Sequence, residues 1–465
     1  MTRFRHNLRA IFLMGLPLAG SHLAQMSIGI TDTVMLGWYG VGELAAQSLA
    51  SSFFFVIYLL GSGFGIAVMP MVAAAISNGD RRQVRRVTRM GLWISAFAGL
   101  LAMPLFWFSG PIFLALGQTE AIAGLMQQYL RTAGWSLPFF LVAVVFKSYL
   151  AALGHTQITM WATLAGTVIN VLLNWVLIFG HLGAPELGIL GAAIASLGTN
   201  ALIMVLLAAY AVGVRDLRGD TILARIWRPD WDAFREVFVL GLPIGLTMLA
   251  EAGLFTASGI MMGWISEEAL AVHGIAVTIS GATFMIHLGL SSAATVRAGY
   301  AWGAKDIAEL RSGAFAALSL SLIMVVLTVA AFLGMPDLLM GLFLDPATPD
   351  RDRLIAMGRA LLATAALFQL ADAMQVMAVS LLRGVQDTRR PMLYAVVSYW
   401  GIGVPMMYLL GVTLDLGGVG VWLGMAAGLT AAGISMMARF WRGPARSPLA
   451  FVPDVPAPKP TGAGR

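Results

Sequence analysis

Twelve separate stretches of this chain are apolar over lengths that can cross the roughly 30 Å hydrocarbon core of a bilayer as helices. Lipid offers backbone N–H and C=O groups no partner, so a stretch held there must satisfy them internally. The stretches run near 10–37, 44–77, 90–115, 122–146, 158–180 and 189–213, then near 237–263, 269–301, 312–335, 355–382, 392–411 and 418–440. Composition agrees, with 59% of the 465 residues hydrophobic and 11% charged, against roughly 45–50% and about 25% in soluble chains. Too few ionic groups remain to cover a water-facing surface, which excludes a soluble enzyme, a disordered chain and a collagen-like rod. The 52 glycines fit a bundle whose helices approach closely. The fold class is an all-α integral membrane protein with twelve transmembrane helices.

Chemistry is excluded as firmly as solubility. There is no cysteine, hence no disulfide, thiolate nucleophile or iron–sulfur ligand. No phosphate-cradling GxxxxGK[ST], metal-ligand spacing or Ser/His/Asp set appears. An enzyme is not expected, nor a cofactor, a bound nucleotide or a nucleic-acid partner. The net charge of +6 reflects the placement of Lys and Arg, which orients membrane helices. Arg81, Arg82, Arg85, Arg86 and Arg89 follow span 2; Arg215, Arg218, Arg225, Arg228 and Arg235 follow span 6; Arg383, Arg389 and Arg390 follow span 10. The opposite loops carry Glu43, Glu120, Glu186, Glu267, Glu268, Asp337, Asp345 and Asp415. The exceptions, Arg131, Arg351, Arg353 and Arg359, sit near the outer ends of spans 4 and 10, where an Arg can snorkel. Both termini are therefore expected in the cytoplasm of a multi-pass protein of the cell (inner) membrane. The short basic segment 1–9 leads into a first span with no cleavage site, so it is not read as a signal peptide.

The basic segment 214–236 divides the chain evenly, and the two halves align without a gap over their first two spans when shifted by 226 residues (241 − 15 = 226). Gly15-Leu16-Pro17 falls on Gly241-Leu242-Pro243, Met35-Leu36-Gly37-Trp38 on Met261-Met262-Gly263-Trp264, and Asp80 on Asp306. Such repeats build transporters from two bundles. Six spans per half is an even number, so both halves sit the same way up about a pseudo-twofold axis along the membrane normal. The expected organisation is a six-helix lobe over 1–213, a cytoplasmic linker over 214–236, a second six-helix lobe over 237–441 and a disordered tail over 442–465. Pro17 and Pro243, inside the first span of each half, are candidate hinges because proline removes a backbone hydrogen bond.

Three acids stand where charge is expensive: Asp32 in span 1, Glu251 in span 7 and Asp372 in span 10. Each costs about 2.5–3.5 kcal/mol at a helix centre on insertion scales, and such groups face wet interiors and carry protons, ions or substrate. No Lys or Arg lies within a helical turn of any of them; Arg383 shares a span with Asp372 about three turns away. The trio therefore implies a mobile cation. Asn170 and Asn174 share one face of span 5, and Ser196 and Thr199 of span 6 can join Asp32 around a hard cation. Gln25, with Asn170, Asn174 and Ser196 a candidate for a secondary cation or substrate site, stands opposite Glu251 in the repeat, and Ser258 opposite Asp32, so each half carries an acid where the other carries a neutral polar group. His22, His273 and His287 form no metal pair and are expected to pack. Met248, Met261, Met262, Met285, Met374 and Met377 lie on the spans of the acids, and adaptable Met surfaces suit bulky apolar cations.

With these residues in view, the chain resembles the MATE (multidrug and toxic compound extrusion) transporters of the NorM branch over about residues 8–442. The resemblance rests on Asp32-Thr33-Val34-Met35-Leu36-Gly37, Glu43-Leu44-Ala45-Ala46 and Pro185-Glu186-Leu187-Gly188, then on Ala250-Glu251 ahead of Leu254-Phe255. It continues through Asp372-Ala373-Met374-Gln375-Val376, Leu382-Arg383-Gly384, Asp387-Thr388 and Ser398-Tyr399-Trp400. It implies two pseudo-symmetric six-helix bundles that export drugs against inward Na⁺ or H⁺. It further implies that Glu251 and Asp372 are the cation site of the second lobe and that Asp32 serves cation or drug binding in the first. Some branches carry an acid where Asn174 stands; the amide here directs the coupling expectation to Glu251 and Asp372. The expected function is cation-coupled efflux of bulky, often cationic organic compounds by a monomer. The alternative is a flippase of lipid-linked oligosaccharides in the same superfamily, disfavoured because the spans offer only acids.

Overall fold

Among the described residues eleven helices are long and apolar enough to cross a membrane, and a bent pair makes a twelfth when it is taken as one span. The structure is a computed structural model describing residues 2–214, 222–346 and 350–446. Of the expected linker and tail, 215–221 and 447–465 lie outside the described residues. Spans 1 to 6 are Thr2–Tyr39, Val41–Ser77, Arg81–Trp107, the pair Glu120–Ala133 and Ser136–Ala152, Thr156–Phe179 and Ile189–Gly213. Spans 7 to 12 are Trp231–Ile265, Glu267–Gly303, Ile307–Gly334, Arg351–Gly384, Arg389–Thr413 and Gly417–Arg442.

Several helices outrun their apolar cores. The arginines from Arg81 to Arg89 lie on the first turns of span 3 and not in a loop, because Asp80 caps that helix by accepting from the Gln83 N–H at 2.9 Å. Its repeat mate Asp306 caps span 9 in the same way through Glu309, also at 2.9 Å. Span 3 ends at Trp107 and is followed by a separate short helix, Ser109–Ala115, where one span near 90–115 was expected. Span 4 is broken by 46° between Ala133 and Ser136. Span 11 widens into π-helical turns at Val397–Gly403 and Leu409–Thr413. The helices of spans 1 and 7 run unbroken through Pro17 and Pro243.

The first and last described residues lie at one end of the bundle, hereafter proximal: Arg3 pairs with Asp306 at 3.2 Å, and nearby Arg311 donates to the Ala445 carbonyl at 2.7 Å. The closest inter-half packing lies in the proximal parts of spans 1, 2, 7 and 8. A Cβ added to Gly289 would stand 2.3 Å from the Ala19 nitrogen, and one on Gly63 would stand 2.4 Å from the Gly245 nitrogen. The 226-residue shift carries Gly63 onto Gly289 and Ala19 onto Gly245, so the two contacts are one contact repeated. Nearer the proximal end, residues meet their own repeat mates. A Cβ on Gly299 would lie 2.9 Å from the Ala73 Cβ, and one on Gly303 2.2 Å from the Ser77 Oγ. The pseudo-twofold axis therefore passes between spans 2 and 8.

Polar clasps close the same end. Arg86 pairs with Asp230, and Gln83 donates to Glu236 at 2.9 Å. On the other side of the axis Asn7 donates to Glu309 at 3.0 Å, and Arg297 pairs with Glu309. The distal parts differ: Gly29, Gly259, Gly274 and Gly281 have nothing within 4 Å of an added Cβ. A separate apolar cluster (Met35, Leu36, Ala46, Phe106, Phe113, Ile178) belongs to the first half alone, whereas the proximal cluster around Val68 and Val72 includes Val237, Ile244 and Val296 of the second half. Distal charges find local partners, with Arg359 on Asp337 at 2.8 Å, Arg353 on Glu268 at 3.1 Å and Arg131 over the Trp107 ring.

Candidate functional site

In the first half, spans 1, 5 and 6 converge on Asp32, which is buried. Its Oδ1 accepts from Asn170 Nδ2 at 3.1 Å and from Asn174 Nδ2 at 2.6 Å, and its Oδ2 accepts from Ser196 Oγ at 2.9 Å. The i, i+4 spacing sets both amides on one side of span 5, where Asn174 also donates to Asn170 Oδ1 at 3.2 Å. The Asn174 Oδ1 and Thr199 Oγ1 atoms are buried without a partner, and the first leaves an acceptor beside the carboxylate. Tyr129 of span 4 stands beside Asp32 and Ser196; nothing in its sequence context marked it. Gln25 is not among the groups hydrogen-bonded to Asp32, and its buried Oε1 has no partner.

The equivalent point of the second half is neutral. Ser258, the repeat mate of Asp32, meets His273 Nε2 at 3.3 Å, and Trp422 donates to His273 Nδ1 at 3.1 Å. The acids there lie elsewhere. Glu251 on span 7 and Asp372 on span 10 are within one another's electrostatic reach, together with Arg383 and Tyr399. The wide turns of span 11 serve this cluster: Tyr399 is fully buried, and Trp400 donates to the Ala250 carbonyl at 3.3 Å, beside Glu251. Asp372 Oδ1, Gln375 Oε1 and Nε2, Gln369 Oε1 and Tyr399 Oη are all buried without a partner. Buried polar atoms are nearly always satisfied by protein, water or an ion, so these oxygens suit a small hard cation or a proton. No group of three or more His, Asp or Glu side chains that could hold a metal ion occurs among the described residues.

Two sequence expectations need correction. Arg383 is electrostatically coupled to Glu251, so that acid is not uncompensated: residues 372 and 383 are eleven apart, which returns to the same helix face. Nor do the spans hold only acids, since Lys147 lies inside the helix Ser136–Ala152, which outruns the expected end at 146. Among the methionines, Met261, Met262 and Met377 are packed into the second-half core, whereas Met248, Met285 and Met374 are partly exposed. His287 is buried, like His273, and accounts for no ligand set.

A duplicated helical bundle with carboxylates set inside each half defines a class, the polytopic membrane transporters built from repeats. The MatE family profile matches residues 17–176 and 243–409, two segments whose starts are again 226 residues apart (243 − 17 = 226). The chain is 42% identical to a probable multidrug resistance protein NorM of Rhizobium meliloti and 39% identical to one of Agrobacterium fabrum, covering 93% of each chain in both cases. The chain belongs to the MatE family of transporters. Its fold is similar to a crystal structure of MATE in the straight conformation, with a TM-score of 0.85 at 21% identity over 94% of this chain and 96% of that one. A eukaryotic MATE transporter, AtDTX14, aligns with a TM-score of 0.83 at 17% identity over 93% and 95%.

Proposed function

We propose that this chain is a multidrug efflux antiporter that exports bulky, often cationic organic compounds in exchange for inward Na⁺ or H⁺. The observation that carries the reading is the Glu251–Asp372–Arg383–Tyr399 cluster, two carboxylates and one guanidinium surrounded by unpartnered oxygens. The cluster has one net negative charge, which one monovalent cation neutralises. The relatives' description as multidrug resistance proteins supports the cargo class.

In this reading the halves are lobes spanning 1–213 and 237–441, joined by the 214–236 linker, and a single copy suffices because it contains both. The proximal end is cytoplasmic, following the Lys and Arg distribution, and the close proximal packing beside open distal glycines supports an outward-facing state. A cation entering distally binds Glu251 and Asp372 and weakens the hold on drug, which leaves outward. The clasps then open, drug arrives from the inside, and the cation is released there. At roughly 100–150 mV one inward charge supplies about 2.3–3.5 kcal/mol. Asp32, with Asn170, Asn174 and Ser196, serves as the first lobe's cation or substrate site, and Pro17 and Pro243 act as hinges beside the inter-lobe crossings.

The test uses everted vesicles carrying the protein and a fluorescent organic cation. Movement of dye after a Na⁺ pulse at fixed pH, or after a pH jump without Na⁺, is expected, and Glu251→Gln or Asp372→Asn should abolish it while the protein still folds. Full activity in both variants would overturn the coupling assignment. Movement of lipid-linked sugar in place of dye would favour the flippase, for which Lys147 and Arg383 supply the cations that sequence reading had missed.

A further inference from the structure

Lys147 is the charge that neither the fold nor the proposed coupling accounts for. It sits between the buried residues Phe146 and Ser148 of span 4 and is itself half-buried. A charge inside a membrane helix ordinarily has a partner or faces a functional cavity. Among the described residues no carboxylate pairs with Lys147. The titratable neighbour that feels its charge is His22 of span 1, not an acid. Among the described residues neither side chain has a hydrogen bond, and neither is among the buried polar atoms without a partner, so the nitrogens of both keep some accessible surface.

Snorkelling does not explain the residue. Helix side chains lean toward their own N-terminus, and span 4 begins distally, so the lysine stem is directed away from the near proximal surface. His22, which feels the lysine's charge, lies about twenty residues into span 1, in keeping with that direction. Two turns distal on the same stripe, Phe140 stacks on Tyr58 of span 2, with ring centroids 4.3 Å apart and an interplanar angle of 17°. A fixed cation thus lies below an aromatic pair. The acid of this half, Asp32, is occupied by three donors and shows no coupling to the lysine.

We infer that Lys147, with His22 and the Tyr58–Phe140 pair, is an anion-accepting subsite of the first half that takes the carboxylate of an aromatic, zwitterionic or acidic substrate. A carboxylate satisfies the ammonium, the stacked rings take the flat ring system, and Lys147 then determines specificity for acids among exported compounds. The inference rests on the export function proposed above, but its test does not require export.

Binding is measured by fluorescence on the purified protein with two xanthene dyes, one with a free benzoate and one its methyl ester. Lys147→Gln is expected to weaken the acid about tenfold relative to the ester, the loss of one charged hydrogen bond, and Lys147→Arg is expected to retain the preference. An equal loss for both dyes, or an unchanged ratio, would overturn the subsite. An acid preference that vanishes when phosphatidylglycerol is added, with ester binding untouched, would assign the lysine to a lipid headgroup and overturn the substrate reading. If vesicle export fails while the Lys147-dependent preference holds, the transport reading falls and the subsite stands.

Discussion

Arg383 changes the arithmetic of the second-half acids. With the guanidinium present, the pair Glu251 and Asp372 lacks one positive charge; with Arg383→Gln it lacks two. The variant is therefore expected to take up two monovalent cations where the parent takes one, seen as a Hill coefficient for Na⁺, or a proton count, rising from about 1 toward 2. Asp32 is organised differently, with three donors fixing its two oxygens and no guanidinium nearby. Asn174→Ala removes the shortest of these bonds and is expected to cost about 1.5–3 kcal/mol, read as a lower unfolding temperature in detergent. At the proximal surface, the hydrogen bond from Arg86 holds the Asp230 carboxyl below its ordinary range. Its stabilising contribution is present above the unfolded carboxylate value of about 3.9 and is lost as pH falls through the lower folded value. Closure of that clasp should thus be flat from about pH 5 to 8 and loosen only in stronger acid, by no more than about 1 kcal/mol for a pair so near water.

The helices meet through glycine where the halves touch, and a side chain there cannot be absorbed. A Cβ on Gly63 would lie 2.3 Å from the Gly241 carbonyl oxygen, backbone that no rotamer change moves. Gly63→Leu is expected to force the proximal ends of spans 2 and 7 apart. The chain has no native cysteine, so single cysteines introduced near Glu236 give a clean labelling readout, expected to rise at least severalfold. Glu309→Gln weakens the other clasp and should raise proximal labelling less, because Asn7 still has a partner in Ser312. Span number, the Asn170–Asn174 face and the Ser196 approach were all legible in the sequence, because helical spacing and hydropathy are local properties. The break in span 4 was not, although Gly134, Ser136 and Pro138 stand at it, because the apolar runs on either side are long enough together to read as one span. Lys147 escaped notice for a related reason: a window ending where hydropathy falls assigns the first charge to the loop, whereas the helix continues to Ala152. Arg383 was readable in principle, because eleven residues bring a helix back to one face, but its coupling to Glu251 on another span is a tertiary fact.

Across the whole molecule, the repeat conserves shape while distributing charge unequally. The Asp32 network has its geometrical counterpart in Ser258, His273 and Trp422, a neutral chain of hydrogen bonds. Exchanging the characters, with Asp32→Ser and Ser258→Asp together, is expected to leave the fold intact and destroy coupled transport, measured as dye movement in vesicles. The axis itself imposes a rule of another kind. Where Ala73 faces Gly299, a residue confronts the descendant of its own ancestral position. Two alanines there would collide, and an alanine facing a glycine removes that clash. Gly299→Ala alone should therefore be harmful, and adding Ala73→Gly should recover much of the loss, since the remaining neighbour, the Pro70 carbonyl oxygen, lies at 3.1 Å. In an assembly of two identical subunits about the same axis no such trade exists, because one substitution changes both partners. Within a single chain the two sides of the axis are free to differ, and this methyl group is an instance of that freedom.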